Sequence, residues 1–210
     1  AVRVAILSPG NELREPGEAC DDDQIPASNG AMLAALLVQP GVEIVEAGIV
    51  PDRMEALAAA LDRVRDCDLI ITIGGASVGD HDLVRPALLQ AGAEIDFWRV
   101  AMKPGKPLMA GQLVEAVVLG LPGNPVSAYV TGILFALPVV RALLGWADPL
   151  PKPVTMPCGD ALPENGARTD HLRARIIGGM VYPVGVNDSA ALAALSQAGA
   201  LIVREAGAQA

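Results

Sequence analysis

The 210-residue sequence predicts an α/β fold, a mostly parallel sheet with helices on both faces, followed by a small β-rich domain. Three observations carry this prediction. Strand-like and helix-like segments alternate through residues 2–144. The strands are nearly unbroken apolar runs, the pattern of strands covered on both faces by right-handed crossover helices. From Trp146 the Pro-rich stretch A-D-P-L-P-K-P ends the alternation, and short strands with Gly-rich turns follow. The domains are therefore expected at 1–146 and 147–210.

The first strand, V-R-V-A-I-L at 2–7, is short and β-branched. A loop rich in Pro, Gly and Asp leads to a helix over 28–39 that Ser28 or Asn29 can cap and Pro40 and Gly41 end. A strand at 42–48, a helix at 54–64 capped by Asp52, and a strand at 68–73 form the next unit. A helix at 80–90, a strand at 94–102, a hairpin strand around Leu108 and a strand at 116–121 come next, before a last helix at 125–144. In the tail, strands are expected at 154–158, 171–177, 180–186 and 201–204, with one helix at 190–197.

Composition narrows the function. With 52% apolar and 19% charged residues and a mean hydropathy of +0.41, the chain is globular. Fifteen basic against 24 acidic side chains give a net charge of -9, which argues against nucleic acid and anionic membranes as partners. Cys20, Cys67 and Cys158 form no C-x-x-C, and His81 and His171 no H-x-x-x-H, so neither a disulfide framework nor a zinc site is predicted. Both histidines read as structural or surface residues. Apolar runs such as 31–38 stop at eight residues, against roughly 20 for a membrane span. No secretory signal opens the chain, and a cytoplasmic location is the default expectation.

Ligands of an open α/β sheet belong at the carboxyl ends of its strands, and five turns there carry polar chemistry. M-K-P-G-K-P sets the Lys103 and Lys106 ammonium groups around a Pro-Gly turn, within a segment, 97–121, whose charged residues are Arg99, Lys103, Lys106 and one acid, Glu115. Such a loop favours an anion. G-L-P-G-N-P-V-S (Gly120 to Ser127) places Pro122, Gly123, Asn124 and Pro125 where a helix begins; Asn124 can cap it, and the free N–H groups of its first turn form an oxyanion or phosphate cradle. T-I-G-G-A-S-V-G-D-H-D (Thr72 to Asp82) is neither a dinucleotide nor a P-loop fingerprint. Its Gly74, Gly75 and Gly79 allow close backbone approach and Ser77 can donate a hydrogen bond. Asp80 and Asp82 fit either a helix start or, beside a phosphate, the hard oxygen donor that Mg²⁺ takes, and Asp82 gains from the second reading. Glu12 in P-G-N-E-L and Asp52 in G-I-V-P-D end other strands and are expected to converge with it on one rim, where the acids meet the lysines and the helix N-terminus of the later turns.

Taken together, P-G-N-E-L (9–13), S-N (28–29), G-I-V-P-D (48–52), G-G-A-S-V-G-D-H-D (74–82), M-K-P-G-K-P (102–107) and G-L-P-G-N-P-V-S (120–127) resemble, in sequence order, the molybdopterin molybdenumtransferases, the molybdenum insertases that include the gephyrin E domain. The resemblance covers about 2–145 as a molybdopterin-binding α/β domain and, more loosely, 153–204 as a small C-terminal β-barrel domain. It implies insertion of molybdate into adenylylated molybdopterin with a divalent cation, Mg²⁺, and release of AMP. Glu12, Asp52 and Asp82 would be catalytic, with Asp82 on the metal. Gly74, Gly75, Ser77, Gly79, Lys103, Lys106, Pro122, Gly123, Asn124 and Pro125 would bind the cofactor substrate. It implies a homodimer, with two further N-terminal domains completing the site. A non-catalytic molybdopterin-binding module and a molybdopterin adenylyltransferase are the alternatives. The sequence departs from the family pattern at Asn11, where an acid is usual, at Ala27, and at Arg99 in place of a frequent Lys.

Overall fold

The computed structural model describes residues 1–75, 82–184 and 195–210. In chain order the elements are β1 (Val2–Pro9), β2 (Leu13–Arg14), β3 (Ile25–Pro26), α1 (Ser28–Leu37), β4 (Val42–Val50), α2 (Met54–Arg63), β5 (Leu69–Ile73), α3 (Val84–Gln90) and β6 (Glu94–Trp98). They continue with β7 (Met102–Lys103), β8 (Met109–Leu113), β9 (Ala116–Leu121), α4 (Pro125–Thr131), a π-helical stretch Gly132–Ala136, α5 (Leu137–Leu143), β10 (Thr169–Ile177), β11 (Met180–Pro183) and β12 (Ala200–Arg204).

The main sheet has the order β4-β1-β5-β9-β8-β6. The first four strands are mutually parallel, and β8 runs antiparallel to both its neighbours. The carboxyl ends of β1, β4, β5 and β9 therefore share one edge. Alternate side chains of each strand go to opposite faces. On one face Ala5, Leu7, Ile70 and Val118 pack with Leu57 and Leu61 of α2 and Leu88 of α3. On the other, Val4, Ile6, Leu69, Ile71 and Leu119 pack with Leu33 and Leu37 of α1 and Val140 of α5. Burying each such Leu or Ile is worth about 1.5–3 kcal/mol, so the two apolar layers fix the edge on which the loops converge.

The tail strands form an antiparallel sheet, β11-β10-β12, that β7 extends by pairing parallel with β10 at Met102↔Thr169 and Lys103↔Asp170. Met102, Val126 and Val130 form a small buried cluster against Leu201. The lysine loop is thus held between the two sheets.

Several elements differ from expectation. Strand 94–102 is split: Arg99 adopts φ 84 and donates its N–H to the Leu108 carbonyl at 2.8 Å, turning the chain after Trp98. Segment 154–158 contributes only a bridge from Cys158 to Val181. Helix 80–90 starts at Val84, and positions 80 and 81 lie outside the described residues, as does most of the expected helix 190–197. Neither Ser28, Asn29 nor Asp52 caps a helix: the capping positions are Ala27 and Arg53, without side-chain bonds. The helical run Pro125–Leu143 spans 19 residues, longer than the eight-residue runs suggest and enough in length and composition to cross a membrane; half of it is buried within the protein, as in a core helix.

Candidate functional site

Beyond the shared edge lies a cleft of about 320 Å³ whose walls include Glu12, Asp52, Asp82, Asn29, Gly74, Gly75, Gly123 and Pro125. The turn after each parallel strand supplies one wall, which is how three acids 40 and 30 residues apart come together. Burial pushes the Asp52 carboxyl above its ordinary value, the Glu12 charge pushes in the same direction, and the Asn11 backbone opposes both. The Asp52 N–H donates to Asn11 Oδ1 at 3.1 Å, tying the turns after β1 and β4 together. Asp82 Oδ1 accepts from the Val84 N–H at 3.2 Å, so this acid also organises the start of α3.

Gly75 shapes the cleft where β5 leaves the sheet. Its φ is 67, and a Cβ there would lie 2.1 Å from Val84 Cγ2 and 3.3 Å from Asp82 Oδ1. Only glycine combines that backbone with that proximity. Ser77 and Gly79, with Asp80 and His81, lie outside the described residues.

The turn after β9 begins α4 as expected: Asn124 Oδ1 accepts from the Ser127 N–H at 3.2 Å, and Pro125 occupies the first helical position. Asn29 holds the turn from α1, donating from Nδ2 to the Gly123 carbonyl at 2.7 Å. Its Oδ1 is buried without a partner among the described residues. Pro122 and Asn124 line neither cavity; Asn124 acts as the cap, and Pro122 is buried behind the turn.

Lys103 and Lys106 do not face the acids. They line a second cavity, of about 790 Å³, on the other side of the first turn of α4. Val126 and Ser127 form its near wall, and Arg168, Asp170, His171, Arg173 and Arg204 come from the second sheet. The expectation of one rim, with acids opposite lysines, is therefore corrected to two cavities separated by a single helical turn: the β7–β10 pairing pulls the lysine loop toward the tail. Lys103 Nζ lies 3.7 Å from Asp170 Oδ2. Arg99, grouped with the lysines by sequence, stacks instead on Trp98, its guanidinium carbon 4.2 Å from the ring centroid. Arg173, buried on β10, and His171, two residues before it on the same strand, were not legible as site residues. The only sequence signal was the spacing of His171 and Arg173, which on a strand puts both on one face.

Residues 5–142 match the family described as "Probable molybdopterin binding domain", and residues 155–210 match "MoeA C-terminal region (domain IV)". The molybdopterin molybdenumtransferase of Haemophilus influenzae is 38% identical over 152 residues, covering 70% of this chain and 37% of that protein. A molybdopterin molybdenumtransferase of Nostoc sp. is 42% identical over 149 residues, covering 69% of this chain and 34% of that protein. A solved molybdopterin biosynthesis MoeA protein from Pyrococcus horikosii has a TM-score of 0.83 at 26% identity, covering 99% of this chain and 51% of that one. The chain thus spans about a third to a half of the length of these relatives.

Proposed function

The chain belongs to the molybdopterin-binding domain family of molybdenum cofactor biosynthesis, with a MoeA C-terminal region after it, and on that premise we propose that it takes part in inserting molybdate into adenylylated molybdopterin, with release of AMP. The observation that carries this reading is the pair of cavities back to back across the first turn of α4, one walled by three carboxylates and the other by cations. A substrate with a phosphoanhydride and a separate tetrahedral oxyanion asks for such an arrangement.

In this reading the lysine cavity takes the oxyanion. Lys103, Lys106 and Arg173 supply charge and N–H donors. The acid cleft takes the adenylyl phosphate against Gly74, Gly75 and Gly123, where little side chain intervenes. Asp52, whose proton affinity is raised by burial and by Glu12, accepts a proton from the water that attacks the adenylyl phosphorus. The P–O bond to the molybdopterin phosphate breaks, its electron pair stays on that phosphate, and AMP leaves. The donor chemistry of the cleft suits Mg²⁺, a hard cation that takes one or two carboxylates together with substrate phosphates. Asp82 would hold it there, and the ion would supply neutralisation of phosphate charge. Glu12 keeps the cleft negative and Asp52 protonatable.

We place the active form in a cytoplasmic homodimer. The test is incubation with adenylylated molybdopterin, molybdate and Mg²⁺, alone and with the N-terminal portion of a curated relative. AMP release supports the reading; binding of molybdopterin without AMP release makes the chain a binding module, and ATP-dependent formation of the adenylate makes it an adenylyltransferase.

A further inference from the structure

The cation-lined cavity contains a titratable group that the reading above leaves without a role. His171 lies on β10 in register with Val203 of β12 and lines this cavity. Its Nδ1 is sealed from solvent and has no hydrogen-bond partner among the described residues. Among the described residues Nε2 has no hydrogen bond either, and it is the nitrogen left to meet a ligand of the cavity that the ring lines.

The charged groups around the ring are mostly cationic. Lys103 comes from β7 and Lys106 from the loop after it; Arg173 lies two residues along the same strand, on the same side; Arg168 and Glu164 come from the segment before β10. Asp170, beside the ring, is shared with Lys103. Arg204 of β12 spends its guanidinium on the carbonyls of Pro163, Ala208 and Gln209 and is fixed as a tether for the chain end. Burial holds the His171 imidazole below its ordinary value, with Asp170 acting in the opposite sense.

Without a bound anion, burial resists a proton on the ring. An oxyanion among those cations reverses the local field and offers an acceptor to a protonated nitrogen. We propose that His171 is a further binding residue for a tetrahedral dianionic oxyanion, engaging it through Nε2–H as an imidazolium, so that filling this cavity takes up one proton from solvent and emptying it returns that proton. The inference rests on the lysine cavity being the oxyanion site. Linkage makes the effect reciprocal: whatever the anion does to the proton, the proton does to the anion.

The chain holds two histidines, so the ring-proton NMR signals of the full chain are assigned with one variant, His171→Gln. Titrations from pH 5 to 8 are run with and without saturating molybdate. The expected result is a His171 midpoint that moves upward with molybdate, each full unit corresponding to a tenfold change in affinity, and a molybdate affinity that strengthens as pH falls in wild type more steeply than in His171→Gln. The variant also accounts for protonation of molybdate itself. A midpoint unmoved by bound molybdate, or equal pH slopes in the two proteins, overturns the role of His171 and leaves the oxyanion cavity standing. Failure of wild type to bind molybdate at any pH overturns both.

Discussion

Asn29 and Gly123, 94 residues apart, are joined at 2.7 Å by a hydrogen bond from the side-chain amide to the backbone carbonyl. The amide that sequence logic assigns to capping α1 is used to pin the turn that opens α4. The helix start at Ala27 forgoes a side-chain cap, and in exchange the wall between the two cavities is fixed to a second element.

Replacing Asn29 with Ala removes one partly exposed hydrogen bond and should lower stability by about 0.5–1.5 kcal/mol. The larger effect is expected in ligand binding, since Gly123 then moves relative to Gly74, whose Cα lies 3.4 Å from where a Gly123 Cβ would be. Urea unfolding with an unchanged m-value, combined with calorimetry of molybdopterin binding, checks both parts.

Gly74 and Gly75 should respond unequally to Ala. Both have positive φ, 85 and 67, which costs an L-residue about 1–2 kcal/mol. At Gly74 a Cβ meets nothing closer than 3.8 Å, whereas at Gly75 it collides with Val84 at 2.1 Å. The Gly75→Ala variant should therefore lose a further 1–3 kcal/mol or so from overpacking. Comparable denaturation midpoints for the two variants would contradict this account of the strand end.

Asp52 predicts a pH effect of definite sign. Its folded-state proton affinity is raised, first by burial and then by Glu12, so between the unfolded carboxylate value, about 3.9, and the raised folded value the native state binds more protons than the unfolded one. Stability then falls as pH rises through that window. Asp52→Asn removes the penalty: its unfolding midpoint should exceed that of wild type at pH 7, and the pH-dependent part of the difference should vanish below about pH 4. An unfolding series across pH for both proteins measures it.

Lys103 should matter for binding and little for stability. Its pair with Asp170 at 3.7 Å is 43% exposed on the lysine side, the kind of contact worth about 0–1 kcal/mol. In Lys103→Ala, molybdate affinity should fall by on the order of tenfold, about 1.4 kcal/mol, with a weaker salt dependence. Calorimetry at two ionic strengths, beside a denaturation curve, separates the two effects.

The fold was legible where local pattern and tertiary demand coincide. Strand β9 lies where its apolar run ends at Gly120 and Leu121, and the Asn-Pro start of α4 is the predicted cap. The acids converged because parallel topology puts every strand's carboxyl end on one edge. What the sequence could not show were long-range choices made by single residues. Arg99 leaves the β region to stack on Trp98, Asn29 abandons its own helix, and Met102 and Lys103 pair with β10 across 67 residues. That last pairing moved the lysines out of the acid cleft. No periodicity encodes it.

The same displacement makes the lysine loop depend on α4. Gly105, between the two lysines, has φ 111, and a Cβ there would sit 2.6 Å from Thr131 Cγ2 and 3.2 Å from Met102 Cε. Thr131 is itself buried, its hydroxyl donating to the Ser127 carbonyl at 2.7 Å. Gly105→Ala should therefore push the loop off the helix, costing about 2–4 kcal/mol from backbone strain and overpacking together. Thr131→Ser keeps the hydroxyl and deletes the methyl, a loss of about 1 kcal/mol. In the double variant the deleted methyl makes room for the added one, so the two losses should fall short of additivity by about 0.5–3 kcal/mol, and molybdate affinity should recover in part. Strict additivity in a double-mutant cycle would mean that the loop is positioned by β7 and β10 alone.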